Sequence, residues 1–279
     1  MICSDPQSVS CFSIPQSRYN ISCKLYAPSS EVPRLAVLGV HGFGGDKESS
    51  ALQALGNVLT AHGGALLCFD FPAHGASNAA DAQLSVEHCK LDLLAAYACL
   101  RERFPKAPTG LFATSFGGYV SLLSLSALQP MPARPVLRAP AVQMAKTFRT
   151  RILRDGFAEY ETKRSVSCGF ERKMRVPYSF YRELQANNAA SVIPAVPTLL
   201  LRAGADELIE PDDLSAFASN SARRYRRRRA SFQGTRGAGS GNRRRRGMAA
   251  SGGIRLRRLG KGRSISARNT AIRNRRLLH

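Results

Sequence analysis

Tryptophan, acidic residues near the C-terminus and long apolar runs are absent from this chain. The sequence contains no Trp, and all 19 Asp and Glu residues lie before residue 221. Residues 221–279 instead hold 19 Arg and one Lys, so most of the formal net charge of +22 belongs to this segment. The first 220 residues are close to neutral, which is typical of an ordinary globular domain.

These absences exclude several classes of protein. No stretch of 18 apolar residues is present, so we expect no transmembrane segment. The first residues show neither the basic nor the apolar region of a secretory signal, and we therefore expect a cytoplasmic protein. The seven cysteines show no C-x-x-C or metal-ligand spacing, which favours reduced thiols over a disulfide framework or a zinc site. We expect neither a metal nor a cofactor.

Apolar runs typical of buried strands alternate with segments of helical periodicity. This alternation predicts βαβ units, and hence an α/β fold with a mostly parallel sheet. After an opening hairpin over Ser8–Ile14 and Tyr19–Tyr26, the predicted strands are Leu35–Val40, Ala65–Phe69, Leu111–Thr114, Pro135–Arg138 and Pro197–Leu201. The predicted helices are Ala51–Ala61, Val86–Phe104, Gly117–Leu128 and Pro211–Ala218.

Two segments depart from this rhythm. Residues 141–192 are polar with scattered aromatic side chains, and they are expected to be an insertion over the sheet, either a cap that shapes a pocket or a solvated helix pair. Residues 223–279 alternate Arg runs with Gly, Ser and Ala, which predicts disorder. We therefore expect one domain over residues 1–222 and an Arg-rich tail over residues 223–279.

A serine flanked by small residues follows one of the predicted strands. The segment from Ala113 to Gly117 has the pattern small-x-Ser-x-Gly of a nucleophile elbow, with Ser115 between strand and helix. The start of the helix supplies backbone N–H groups where an oxyanion would form. The pattern also occurs by chance in Gly-rich turns, so the rest of the chain must show whether Ser115 is a nucleophile.

Four such turns stand in order, each after a predicted strand. They are His-Gly-Phe-Gly-Gly at 41–45, Asp-Phe-Pro-Ala-His-Gly at 70–75, Ala-Thr-Ser-Phe-Gly-Gly at 113–118 and Gly-Ala-Asp at 204–206. Over roughly residues 8–220 the chain resembles the α/β-hydrolase family, and within it small-capped esterases of the feruloyl or cinnamoyl type. The resemblance implies a mostly parallel sheet with helices on both faces and a small cap insertion.

The resemblance also implies roles for individual residues. Ser115 matches the family nucleophile and Asp206 the acid that orients a histidine, with Glu207 as the alternative acid. Phe43 and Phe116 match the residues whose backbone N–H groups form the oxyanion hole. The histidines and the aspartate of the first two turns are expected to shape loops.

The family order of serine, acid and histidine is incomplete here. After Asp206 the only histidine is His279, and no apolar run after residue 222 predicts the final strand of the fold. We therefore expect the C-terminal part of the fold to be missing. Three explanations stand: a frame change near residues 219–222, a genuine polybasic tail that binds nucleic acid or anionic membrane, or His279 folding back as the base.

The sequence thus predicts a serine hydrolase that cleaves a small-molecule carboxylic ester through an acyl-enzyme on Ser115. Its activity is expected to be impaired as written because the base is lacking. The alternative is a catalytically dead hydrolase-like scaffold whose polybasic tail binds nucleic acid or anionic membrane. The acyl group, the alcohol, and the choice among esterase, peptidase and thioesterase chemistry are left open.

Overall fold

A computed structural model describes residues 8–29, 32–169, 172–202 and 208–221, together with the backbone of residues 255–258. Its centre is a sheet with the strand order β1-β2-β4-β3-β5-β6-β9-β10. Strand β1 is antiparallel to β2 and β2 to β4, whereas the pairs from β4 to β10 are parallel. The strands of this sheet are β1 Ser8–Pro15, β2 Asn20–Ala27, β3 Ala36–Val40, β4 Ala65–Phe69, β5 Thr109–Thr114, β6 Arg134–Arg138, β9 Leu199–Arg202 and β10 Arg255–Arg258.

Helices cover both faces of the sheet, and this explains why the central strands are apolar throughout. All five residues of β3 and all five of β4 are buried, as expected for parallel strands covered on both sides. The helices are α1 Ser50–Ala61, α2 Val86–Arg103, α3 Phe116–Ser124, α4 Met144–Thr147, α5 Phe157–Lys163, α6 Tyr178–Ala186 and α7 over 211–221. The α/β fold with a mostly parallel sheet is therefore confirmed.

The segment between β6 and β9 is a packed insertion with its own secondary structure. It contains α4, α5 and α6, a π-helical stretch over Phe148–Leu153, and a two-stranded antiparallel sheet of β7 Ser165–Cys168 and β8 Met174–Pro177. Phe148, Tyr160 and Phe180 are fully buried, so the segment is not the solvated helix pair that the sequence left open. Below, we call residues 141–192 the cap.

Strand β10 is the element that the sequence did not predict. It pairs in parallel with β9, from Arg255 opposite Leu199 to Arg258 opposite Arg202. Three arginines in four residues give no apolar pattern, but an edge strand needs only backbone pairing on one side. The expected open edge at β9 is therefore occupied by four residues of the tail. The rest of the predicted disordered tail lies outside the described residues.

No helix in the described part of the chain is long and apolar enough to cross a membrane.

Candidate active site

The site lies where the chain reverses its direction of travel across the sheet. From β3 the chain passes to β4 on one side, and then returns to β5 on the other side of β3. In an open α/β sheet a ligand crevice forms at such a switch point, outside the carboxyl ends of the strands. The loop after β3 and the turn after β5 meet there, and they carry Phe43 and Ser115.

Ser115 occupies a strained backbone conformation between β5 and α3. Its φ of 50° and ψ of −114° are unfavourable for a residue with a Cβ, and such strain costs on the order of 1–3 kcal/mol. Hydrogen bonds hold the turn on both sides: the Ser115 N–H donates to the Arg138 carbonyl at 3.0 Å, and the Ala141 N–H donates to the Ser115 carbonyl at 3.0 Å. The end of β6 and the start of the cap thus fix the serine.

Close packing around the turn requires glycine at two helix positions. A Cβ on Gly117 would lie 2.3 Å from the His41 carbonyl oxygen, and one on Gly118 would lie 2.7 Å from Pro140. On the facing loop, a Cβ at Gly42 would lie 3.4 Å from the Ser115 Cβ. The loop after β3 is therefore in direct contact with the serine turn.

Two backbone N–H groups beside Ser115 have no acceptor among the described residues. The Phe116 N–H is the first of α3, so no carbonyl within the helix can accept from it. The Phe43 N–H belongs to the loop against the serine and also donates to no described group. Both are the donors that the resemblance assigned to the oxyanion hole, and this role stays a prediction.

Aromatic rings from the core and the cap pack together over this turn. The Phe43 ring contacts Phe116 at 5.8 Å, Phe148 at 5.5 Å and Phe180 at 6.0 Å between centroids. Phe148 and Phe180 belong to the cap, and their contact with the serine turn could not be predicted because no local pattern relates residues so distant in sequence. The cap is therefore in contact with the loop that faces Ser115.

The two histidines nearest this loop have structural hydrogen bonds. The His41 Nδ1 atom is 2.8 Å from the Gly42 carbonyl, and its Nε2 atom accepts from the Phe71 N–H at 3.1 Å. The His74 Nδ1 atom is 2.9 Å from the Pro72 carbonyl, while its buried Nε2 atom has no partner among the described residues. Burial lowers the pKa of His41, and it lowers the pKa of His74 to about 3. Both rings therefore stay neutral at neutral pH, and neither is hydrogen-bonded to Ser115.

Asp70 joins the two loops that flank the site. Its buried carboxylate accepts from the Lys47 N–H at 2.7 Å, the Lys47 ammonium at 2.8 Å and the Ala76 N–H at 2.9 Å. A Cβ on Gly75 would lie 2.6 Å from this carboxylate, so glycine is required at that turn. Asp70 thereby fixes the loop that carries Phe43, consistent with the loop-shaping role expected for it.

The remaining predicted site residues lie outside the described part of the chain. These are Asp206, its alternative Glu207, and His279. Strand β9 ends at Arg202, two strands from β5 along the same sheet edge. The roles of Asp206, Glu207 and His279 stay predictions.

The sequence did not indicate that the backbones of Arg138 and Ala141 hydrogen-bond to Ser115, since backbone contacts have no side-chain signature.

Comparisons with known proteins agree with this architecture. A family model described as serine aminopeptidase, S33, matches residues 31–158, a little less than half of the chain. Est1E from Butyrivibrio proteoclasticus, solved with ferulic acid, is 17% identical with a TM-score of 0.62, covering 75% of this chain and 84% of that chain. Mouse α/β hydrolase domain-containing protein 10 is 18% identical with a TM-score of 0.60, covering 75% and 84%.

A third solved structure aligns with a larger share of the chain. XC6422 from Xanthomonas campestris, described as an α/β serine hydrolase without a lid, is 16% identical with a TM-score of 0.54, covering 91% of this chain and 84% of that chain. No curated protein sequence matches.

The sheet order and these matches show that the chain has the α/β-hydrolase fold, as the sequence resemblance predicted. The span matched by the serine aminopeptidase S33 model includes both the Ser115 turn and the loop of residues 41–45.

Proposed function

We propose that this chain is a serine hydrolase that cleaves carboxylic esters through an acyl-enzyme on Ser115. The observation that carries the proposal is the strained, hydrogen-bonded turn at Ser115, together with the N–H groups of Phe43 and Phe116, which have no acceptor among the described residues. Backbone strain at a partly exposed serine is retained where it presents the hydroxyl for chemistry.

The proposed acylation uses these groups in order. The Ser115 Oγ atom attacks the ester carbonyl carbon, and the carbonyl oxygen becomes an oxyanion held by the two N–H groups. Collapse of the tetrahedral intermediate breaks the bond to the alcohol, which leaves with a proton. Water then attacks the acyl-enzyme and releases the carboxylic acid with the serine restored.

The proton on the Ser115 hydroxyl needs a base. His41 has both ring nitrogens engaged, and His74 is buried beside Phe43 with its pKa strongly lowered. The proposal therefore keeps His279 as the candidate base and Asp206 as the residue that orients it. Loss of the base in a triad enzyme lowers kcat on the order of a millionfold, so we expect slow turnover unless His279 reaches the serine.

The test compares hydrolysis of p-nitrophenyl acetate by four proteins at neutral pH. The wild type should exceed the buffer rate, Ser115→Ala should not, and His279→Ala should differ from the wild type only if His279 is the base. Ser121→Ala is the matched control, because its buried hydroxyl on the same helix has no described partner. Equal rates for the wild type and Ser115→Ala would contradict the proposal.

Ester and peptide chemistry are separated with a second substrate. An aminoacyl p-nitroanilide should be turned over more slowly than the ester if the chain is an esterase. Faster cleavage of the anilide would instead favour a peptidase. The alternative of a dead scaffold that binds polyanions through its tail gains no support from the comparisons, and it predicts salt-sensitive RNA binding with no ester turnover.

A further inference from the structure

The outer edge of β1 is a row of backbone groups without a strand beside it in the described part of the chain. β1 ends the sheet and pairs with β2 on one side only. Its eight residues, Ser-Val-Ser-Cys-Phe-Ser-Ile-Pro, carry no charge. Proteins normally protect such edges with lysines, bulges or prolines within the strand. Here the single proline stands at the last position, so no residue within β1 before Pro15 blocks pairing at this edge.

The hairpin turn determines which residues face this edge. The Gln16 N–H donates to the Tyr19 carbonyl at 2.8 Å, so residues 16 and 19 form a hydrogen-bonded pair. Such pairs alternate along an antiparallel ladder, and the even residues of β1 therefore bond to β2. The Asn20 N–H and the Ser22 carbonyl, opposite odd residues of β1, bond away from β1. The odd residues Val9, Cys11 and Ser13 consequently direct their backbone groups outward.

These three residues make the edge self-complementary. An antiparallel pairing about a two-fold axis at Cys11 sets Cys11 opposite its own copy and Val9 opposite Ser13 of the second copy. Each hydrogen-bonded pair exchanges both N–H···O bonds, so about six bonds form. Any other two-fold register either uses Pro15, which has no N–H, or leaves one of the three residues unpaired.

The charge distribution also favours a second copy at this edge. The Arg-rich residues follow α7, and their strand β10 lies at the opposite end of the sheet from β1. Seven strand spacings of about 4.8 Å separate the two edges, several times the Debye length of about 8 Å at physiological salt. Two uncharged β1 edges can thus approach while the three arginines of each β10 stay apart.

We propose that the chain forms a two-fold homodimer through antiparallel pairing of β1 with β1 of a second copy, centred on Cys11. The contact is a single strand pair and smaller than the roughly 1,200 Å² of a standard stable interface. The dimer is therefore concentration-dependent, with a dissociation constant in about the micromolar range.

The experiment uses charge at the two-fold position in the full chain. Cys11→Lys places two ammonium groups opposite each other, and Cys11→Glu places two carboxylates, so each variant alone should dimerise at least about tenfold more weakly. A 1:1 mixture should restore the dimer, because only the heterodimer pairs opposite charges. Cys11→Ser is the matched neutral control and should dimerise like the wild type. Sedimentation velocity at up to about 100 µM measures the wild type, the three variants and the mixture.

Cross-linking gives an independent readout of the register. Cα atoms of a hydrogen-bonded pair lie about 5.5 Å apart, so a short bismaleimide should join the exposed Cys11 thiols in the wild type but not in Cys11→Ser. A wild type that stays monomeric at about 100 µM would overturn the proposal. So would Cys11→Lys and Cys11→Glu variants that each dimerise alone as well as their mixture does.

Discussion

The Ser115 turn depends on glycine at position 117, because neighbouring backbone atoms lie too close to leave room for a Cβ there. A Cβ on Gly117 would meet two carbonyl oxygens, that of His41 at 2.3 Å and that of Val40 at 2.8 Å. Backbone atoms of a buried strand cannot move aside cheaply, so α3 would have to shift and Ser115 with it. The sequence signalled this position through the small-x-Ser-x-Gly pattern, but only the structure identifies the atoms that enforce it.

The first prediction tests this contact with two glycines of neighbouring elements. Gly117→Ala should lower the free energy of unfolding by about 2 kcal/mol or more, as overpacked core positions do, and should abolish ester turnover. Gly110→Ala in β5 is the control, because its Cβ would lie 3.4 Å from Val37, an ordinary contact. Urea unfolding of both variants measures the difference, and equal stability of the two would contradict the packing argument.

A buried carboxyl group gives the second prediction. Asp92 in α2 is fully buried, and its Oδ1 atom accepts from the Tyr19 hydroxyl at 2.9 Å while Oδ2 has no described partner. Burial raises the pKa of Asp92 to about 7, although the Tyr19 hydrogen bond opposes the shift. The amino-acid pattern of α2 did not indicate a buried acid.

The sign of the pH effect follows from the raised pKa. Below the pKa of the unfolded chain both states are protonated, and between about pH 4 and pH 7 the unfolded state releases its proton first. The contribution of Asp92 to stability is therefore full at low pH and is lost as the pH rises through 7. In Asp92→Asn the free energy of unfolding should fall less between pH 5 and pH 7 than in the wild type. Urea unfolding from pH 5 to pH 8 measures this difference. An unchanged slope would show that Asp92 does not titrate as described.

At the scale of elements, the cap is fixed to the core by polar contacts as well as by rings. The Glu183 carboxylate in α6 accepts from the N–H groups of Val86 at 2.7 Å and Glu87 at 3.4 Å, at the start of α2. The Arg172 guanidinium donates to the carbonyls of Gly75 and Ser77. A carboxylate at a helix N-terminus is stabilised by the unpaired N–H groups and the helix dipole.

The third prediction concerns this attachment. Glu183→Ala should destabilise the cap by about 1 kcal/mol and speed its proteolysis, because two N–H groups lose their acceptor. Glu183→Gln keeps an acceptor oxygen and should lose only the charge contribution. Its rate of proteolysis should therefore lie between those of the wild type and Glu183→Ala. Limited proteolysis with cleavage sites mapped between residues 141 and 192 measures the effect. Cleavage at equal rates in all three proteins would show that Glu183 does not hold the cap.

Elements with strong local patterns were predictable, and those built from distant contacts were not. Strand β4 was predicted with its observed bounds, and α2 ended one residue before its predicted end, because each has a sustained apolar pattern. The β7–β8 hairpin was missed, since its four-residue strands mix polar and apolar side chains. Strand β10 was missed for the same reason.

At the scale of the molecule, β10 gives the fourth prediction. A chain that ends at residue 221 lacks β10 and leaves the edge of β9 unpaired, which favours aggregation. A chain that ends at residue 258 keeps β10 and is the matched control. We expect the shorter chain to melt at a lower temperature and to aggregate, and the longer one to resemble the full chain. If the shorter chain is as stable and soluble as the control, β10 does not contribute to the sheet.

The contact between the cap and the core can be followed by fluorescence. The Tyr119 hydroxyl of α3 donates to the Asn187 carbonyl in the cap at 2.9 Å, and the surrounding rings are buried. Since the chain contains no Trp, no indole emission masks the tyrosines, and a tryptophan introduced at Phe180 would be the sole emitter of its kind. Its emission wavelength should be that of a buried indole, because Phe180 is fully buried against Phe43 and Phe116. The absence of native Trp thus makes this single position a specific optical probe of the contact between cap and core.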